Sequence, residues 1–319
     1  MDETLGVPAH RGGLVVEHPE LSVGIVRAVA RPVGLELELV ARRPLDRRSA
    51  SERQADIRAR RGTLPAAPRR LLPAFDEGVD LRVGWLDRGG RAHWEFASSW
   101  SSSSGDHYEG AHGPSLQAVL HLPPLFDQAS LVLAWPEIGF PETVVELALP
   151  DRATVERGTV SIWDAPLHAR PAPGPLHQRI GGFPFEELAV EAGRLVAGPQ
   201  LLSRGVDAAV VLTRLTAIGA ALSMEIVSVA KGDRAQDAGA ADPGQLRMHG
   251  SGASVAVVQD RDAIWVPSQG GSSSGGGRTF RSTMEFVVRR PGGGVLDLLV
   301  AWPAAGLPDM CVTIPVPEQ

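Results

Sequence analysis

One short stretch occurs twice in this 319-residue sequence, and it constrains the fold more than any other feature. Near the middle it reads Ala134-Trp135-Pro136-Glu137-Ile138-Gly139-Phe140-Pro141-Glu142. Near the end it reads Ala301-Trp302-Pro303-Ala304-Ala305-Gly306-Leu307-Pro308-Asp309. An apolar run precedes each copy (Leu131 to Leu133, Leu298 to Val300) and another follows it. Proline has no N–H to give a ladder, so strand pairing must end or meet an edge at Pro136 and Pro303. Gly139 and Gly306 permit the positive φ of a turn, and Pro141 and Pro308 fix φ before the next strand. The connection is too long for a two-residue hairpin and suits a longer loop or an arch between two sheets. After the turn, Val145, Leu147 and Leu149 correspond to Val312, Ile314 and Val316, so both copies bury the same strand face. Trp135 and Trp302 are expected to cover one end of each core, with an interface or ligand role as the alternative.

Other segments repeat in the same order. Ile25-Val26-Arg27 matches Leu212-Thr213-Arg214, and Leu35-Glu36-Leu37-Glu38-Leu39 matches Leu222-Ser223-Met224-Glu225-Ile226, both at an offset of 187 positions. The Trp-Pro copies are offset by 167, and a basic segment after Leu39 accounts for most of the difference. Residues 101–105 roughly match 270–277, and both read as flexible Ser/Gly loops. Residues 116–122 match 283–289 as strands. A period near 170 marks a repeated domain, since solenoid repeats run about 20–50 residues. Gly (36) and Pro (26) supply many turns between short β-branched runs. The expected class is therefore all-β: tandem duplicated antiparallel β-sandwich-like domains with minor helix. Residues 1–13 read as a flexible tail, 14–150 as the first domain, 151–199 as a Pro-rich linker and 200–319 as the second domain. Asp151 is placed to cap a short helix reaching Arg157.

The first domain carries an Arg-rich insertion over residues 42–70. It holds ten arginines against Asp46, Glu52 and Asp56, a net charge of +7. The rest of the chain is then at −13, for a formal total of −6. Ser51-Glu52-Arg53-Gln54 resembles a capping box, so a helix over 52–61 is one expectation and a surface loop the other. Arg53, Arg58, Arg60 and Arg61 are its candidate binding residues, for an acidic protein partner or for the acidic body of the same chain. No aromatic residue is interleaved between Arg42 and Arg70, so nucleic acid is not the expected partner. A mildly acidic whole argues the same way and against a membrane surface.

The densest polar constellation is Gly105-Asp106-His107-Tyr108-Glu109-Gly110-Ala111-His112, with His93 and His121 on neighbouring strand candidates. His107, Glu109 and His112 offer two imidazoles and a carboxylate to a divalent metal such as Zn²⁺ or Fe²⁺. Their spacing is not that of the helical His-Glu-x-x-His motif, and the alternative is a solvated polar loop. The second domain has Thr279-Phe280-Arg281-Ser282 in the comparable region, so a site here belongs to one domain only. No catalytic residues are assigned. One cysteine, Cys311, excludes an intrachain disulfide and reads as a small sheet residue. The N-terminus lacks a basic-then-apolar leader and no run approaches 18 apolar residues, so a cytoplasmic location is expected.

The Val-x-Arg element, the Gly/Ser-rich segment and the Trp-Pro-x-x-Gly-x-Pro turn together resemble a family of uncharacterised actinobacterial proteins. Those combine a strand pair, a Gly-rich segment and a Glu-Trp-Pro-x-x-Gly-Ile turn. Here alanine precedes the tryptophan in both copies (Ala134, Ala301). The resemblance implies a duplicated domain and carries no activity with it. The sequence points first to a non-enzymatic binding or structural protein with a protein partner. A metal-binding protein or metal-dependent enzyme is second, and a carbohydrate-binding module using Trp85, Trp94 or Trp100 is third.

Overall fold

Strict alternation at Leu35, Leu37 and Leu39 puts three leucines on one strand face, and all three are at most 1% exposed. The same pattern at Leu222, Met224 and Ile226 buries those residues completely. Around these two strands the chain builds two compact units, Ala9–Val155 and Glu156–Gln319, the latter with Met1–Pro8. The computed structural model describes residues 3–44, 55, 59, 81–103, 115–135, 138–174, 176–180, 193–240 and 252–317.

Strand β1 (Thr4–Leu5) belongs to the second unit. The first unit follows with β2 (Val7–His10), β3 (Gly13–His18), β4 (Leu21–Arg31), β5 (Gly34–Arg42), β6 (Arg82–Leu86) and β7 (Ala92–Glu95). It continues with β8 (Ser99–Ser103), β9 (Ser115–Leu122), β10 (Gln128–Trp135) and β11 (Phe140–Ala148). Helix α1 (Arg152–Gly158) comes next, capped as expected: the Thr154 amide donates to Asp151 Oδ1 at 2.8 Å. Then come β12 (Val160–Ser161), β13 (Arg170–Pro171), β14 (His177–Ile180), β15 (Arg194–Ala197), β16 (Gln200–Arg204), β17 (Ala208–Ile218) and β18 (Ala221–Lys231). Helix α2 (Gly232–Ala240) leads to β19 (Ser254–Gln259), β20 (Asp262–Trp265), β21 (Ser268–Gly276), β22 (Thr279–Arg289), β23 (Val295–Trp302) and β24 (Leu307–Pro315).

Each unit is a two-sheet sandwich. In the first unit the sheets run β2-β4-β5-β9-β8, with β3 also on β4, and β11-β10-β6-β7. In the second they run β15-β17-β18-β22-β21, with β16 also on β17, and β13-β24-β23-β19-β20-β14. Strands β4 to β11 of the first unit therefore take the positions of β17 to β24 in the second. The second adds β13 and β14 at the two edges of one sheet. Each core draws on both of its sheets: Leu37, Leu39 and Leu120 meet Leu131, Leu133 and Leu147 in the first. Met224, Ile226 and Phe286 meet Val255, Leu298 and Ile314 in the second.

The repeated turn closes the β10–β11 and β23–β24 pairs. The register shifts at Leu133/Trp135 and at Val300/Trp302, so each tryptophan follows a bulge. Gly139 and Gly306 hold φ of 82° and 72°, the left-handed values that favour glycine. In the second copy Pro303–Ala305 forms one 3-10 turn, closed by the Gly306 amide on the Pro303 carbonyl at 2.8 Å.

Three parts of the chain differ from their sequence expectation. The Ser/Gly stretches are strands, not loops: β8 pairs along β9, and β21 pairs along β22 over its whole length. Small side chains weaken β-propensity without forbidding it, and a two-residue turn with Gly277 at φ 61° folds β21 back on β22. Residues 151–199 do more than link, because they supply α1 and β12 to β15. Thr4 and Leu5, within the expected tail, pair with Ser161 and Val160.

Candidate functional site: the outward sheet faces

The β4–β5 ladder slips by one residue between Ile25 and Arg27, which sets Arg27 opposite Glu38. Both lie on the face away from Leu37 and Leu39. Arg27 Nη2 sits 2.6 Å from Glu36 Oε1, and its Nε 3.3 Å from Glu38 Oε2. Arg31 reaches Glu36 at 3.0 Å, and the Gln117 side-chain amide donates to Glu38 at 2.5 Å. Burial alone would raise the Glu36 carboxyl, but Arg27 and Arg31 outweigh it and hold the group below its ordinary value.

The second unit has the same slip, between Leu212 and Arg214, and Arg214 faces Glu225. Here Ser223 stands where Glu36 stands in the first unit, and Arg214 donates to its hydroxyl at 3.1 Å. Its carboxylate partner comes instead from the next strand, Glu285 on β22. Thr213, the bulged residue, donates to the Glu225 carboxylate and to its carbonyl. Each arginine thus has a carboxylate partner in its own sheet. A carboxylate held low by arginine is a weak base near neutral pH, suited to holding a shape or a partner rather than to moving protons.

The outward faces of the other two sheets carry one cross-strand row each. In the first unit the register places Trp94, Gly84, Val132 and Val144 side by side. In the second it places Trp265, Ala256, Leu299 and Cys311 side by side. The rows match residue for residue in strand order. The second row lies in a small satellite core with Ala263 and Ala301, onto which Ala172 and Leu176 pack. Those two residues belong to the segment from β13 to β14, which acts as a strap. Arg170 and Pro171 pair with Cys311 and Met310 at one edge, and β14 runs parallel to β20 at the other. The Ala172 amide donates to the Asp309 carbonyl at 3.1 Å and the His177 amide to the Arg261 carbonyl at 2.9 Å. Arg179 pairs with Asp262 at 3.1 Å. Under the strap Trp265 is 3% exposed and Cys311 6%; in the first row Val132 is fully buried and only the edge residue Val144, at 46%, is exposed. Burial also raises the Cys311 thiol, as a covered sheet residue requires.

An open cleft of about 570 Å³ lies beside α2 in the second unit. It presents Lys231, Arg234 and Arg278 together with Asp207, Asp233 and Asp237, so its charges balance. Lys231 is engaged by Glu3 at 2.5 Å and lies over the Trp163 ring at 4.2 Å. Arg234 pairs with Asp237 and stacks on Gly306 so closely that an added Cβ there would lie 2.6 Å from the guanidinium carbon.

His107, Glu109 and His112 lie outside the described residues, as do Arg53, Arg58, Arg60 and Arg61. Within the insertion Ala55 and Ala59 are described, and both are helical. Arg43 lies over the Trp135 ring, 6.0 Å from its centroid. His93 and His121 fall in different sheets: His93 pairs with Asp87 at 2.9 Å, and His121 stands opposite Glu36. Trp302 is 1% exposed with Phe280 5.9 Å away, and Trp135 is 9% exposed. Sequence reasoning missed the two outward rows. Their signal was present as Trp94/Trp265 and Val144/Cys311, but it shows only once strand register is known.

No family model and no curated protein matches this chain. Among solved structures, a conserved domain protein from Bacillus anthracis aligns at a TM-score of 0.24 and 10% identity, covering 92% of this chain and 77% of that one. Bovine butyrophilin aligns at a TM-score of 0.21 and 9% identity, covering 91% and 93% respectively. At such scores neither likeness carries an argument. Among the described residues no helix is long and apolar enough to cross a membrane.

Proposed function

We propose that the chain is an internal duplication of one β-sandwich domain and serves as a non-enzymatic binding protein for a protein partner. The observation that supports this most is the fate of the equivalent arginines. Arg27 and Arg214 stand at the same bulge in the two units, and each is tied to carboxylates of its own sheet. The charged groups common to both units are thus used to hold sheet faces in shape, and what differs between the units is surface. A single buried thiol, Cys311, fits a cytoplasmic location. Affinity capture with the full chain, and with a chain lacking residues 42–70, tests the reading. A stoichiometric protein partner supports it. Stoichiometric metal in the purified protein, lost in the His107→Ala, His112→Ala variant, overturns it in favour of a metal site.

A further inference from the structure

Arg42 is the last residue of β5, and strand alternation turns it away from the core side of Ala41, which is 2% exposed. The register sets it between Ser22 on β4 and Ser115 on β9. Its diagonal neighbours on those strands, Gly24 and Gln117, carry no charge. The next acid along the row is Glu17 on β3, exposed and one strand further out, beyond Ser22. Arg42 Nε and Nη1 are buried and make no hydrogen bond. Among the described residues no carboxylate pairs with this guanidinium, and burial draws its pKa below the ordinary arginine value. Arg27, on the same face of the same sheet, holds Glu36 and Glu38 instead. A buried N–H without an acceptor gives up water and gains nothing in return, so a native protein seldom keeps one without a reason.

We propose that Arg42, Ser22 and Ser115 form a binding site for a single oxyanion, a carboxylate or a phosphate. The guanidinium supplies the positive charge and a fixed plane of N–H donors, and the two hydroxyls flank it as further donors. Carboxylate and phosphate oxygens are the acceptors a guanidinium binds most strongly. A neutral ligand would leave the charge uncompensated. Arg42 keeps part of its surface open at the end of β5, so a small ion or the tip of an acidic side chain can reach it. The inference goes beyond the binding function above. It holds for either source of the oxyanion, a free ion or an acidic side chain of the protein partner.

Arg42→Met in the full-length chain separates this site from a structural arginine. Methionine fills similar space with no charge to satisfy. In sodium chloride the variant should therefore be no less stable than the parent, with a thermal midpoint up to about 4 °C higher. Sodium phosphate and sodium acetate are then titrated at matched ionic strength. Each should raise the parent midpoint saturably, and the affinity should fall about 10-fold or more in Arg42→Met. Ser22→Ala and Ser115→Ala should weaken it to a smaller extent. Arg88→Met, on an exposed turn, should respond as the parent does. The Arg42 Nε–H resonance should shift along the same saturation curve. A stronger response to phosphate identifies a free ion, and an equal or stronger response to acetate identifies an acidic side chain. An Arg42→Met variant that is destabilised or fails to fold overturns the proposal, because the guanidinium is then already satisfied. So does a parent with no saturable response at tens of millimolar, or a response that survives Arg42→Met.

Discussion

Cys311 and Val144 occupy the same place in the same row of equivalent sheets, yet one is 6% exposed and the other 46%. The strands beneath them match in order and register. The difference is made by eleven residues, 170 to 180, that lie over one sheet and have no described counterpart on the other. A sheet edge is ordinarily blunted by charge, proline or a covering segment. The second unit uses a segment with proline in it. The first has Glu142 and Glu146 on either side of Val144 along the same strand face.

The comparison can be broken most severely at the tryptophans. Trp302→Ala should cost the second unit about 3–5 kcal/mol, the usual range for removing a buried aromatic. Trp135→Ala should cost the first unit less, because its indole is still 9% exposed. Urea unfolding followed by strand-resolved hydrogen exchange separates the two losses; equal losses would mean that the two turns carry equal packing. Thiol reactivity comes next. Val144→Cys should react with a disulfide reagent on the order of 100-fold faster than Cys311, which must wait for local opening of its cover. Leu176→Asp, by loosening the strap, should bring Cys311 towards the faster rate.

At Gly84 the usual gain from replacing glycine with alanine should reverse in sign. Alanine at Gly84 would put its Cβ 2.7 Å from the His93 carbonyl oxygen and 3.1 Å from Trp94 Cε3. Gly84→Ala should therefore destabilise by about 1–3 kcal/mol through overpacking. The converse change at the matching position, Ala256→Gly, should cost about 0.5–1 kcal/mol through backbone entropy. Thermal denaturation of both variants checks this, and a stabilised Gly84→Ala would show that Trp94 can lift. The smallest effect is in pH. Glu36 is depressed by Arg27 and Arg31, so its contribution is present above the ordinary carboxyl value of 4.5 and is lost as pH falls through the lower folded value. Glu36→Gln should flatten that acid limb of first-unit stability. Ser223→Ala, its equivalent in the second unit, should leave the limb unchanged.

Much of the framework was legible without coordinates. The alternation at Leu35 to Leu39, the Ile25-Val26-Arg27 segment and the Trp-Pro turn are local patterns, and each has a counterpart further along the sequence. Asp151 also signalled its helix, because an N-cap needs only neighbours in sequence. The Ser/Gly segments were misread for the converse reason. Nothing in Ser268 to Gly276 demands a strand, and it becomes one because β22 offers a ladder. The outward rows were invisible in the same way. Trp94 and Val144 are fifty positions apart, and only the register of four strands makes them neighbours of one row.

By itself the sequence determined the all-β class and the inward faces, since side-chain alternation and turn chemistry act over a few residues. The match of Ile25-Val26-Arg27 to Leu212-Thr213-Arg214 also set Arg27 and Arg214 at corresponding positions, while the bulge at each appears only in the strand register. The tertiary structure alone decided that a strap would lie across the outward face of the second unit. Residues 165–180 have the composition of a linker, and their conversion into a strap depends on two sheet edges far away in the chain. Edge hydrogen bonds and a half-buried Leu176 exist only after those edges have formed, so no local pattern could announce them.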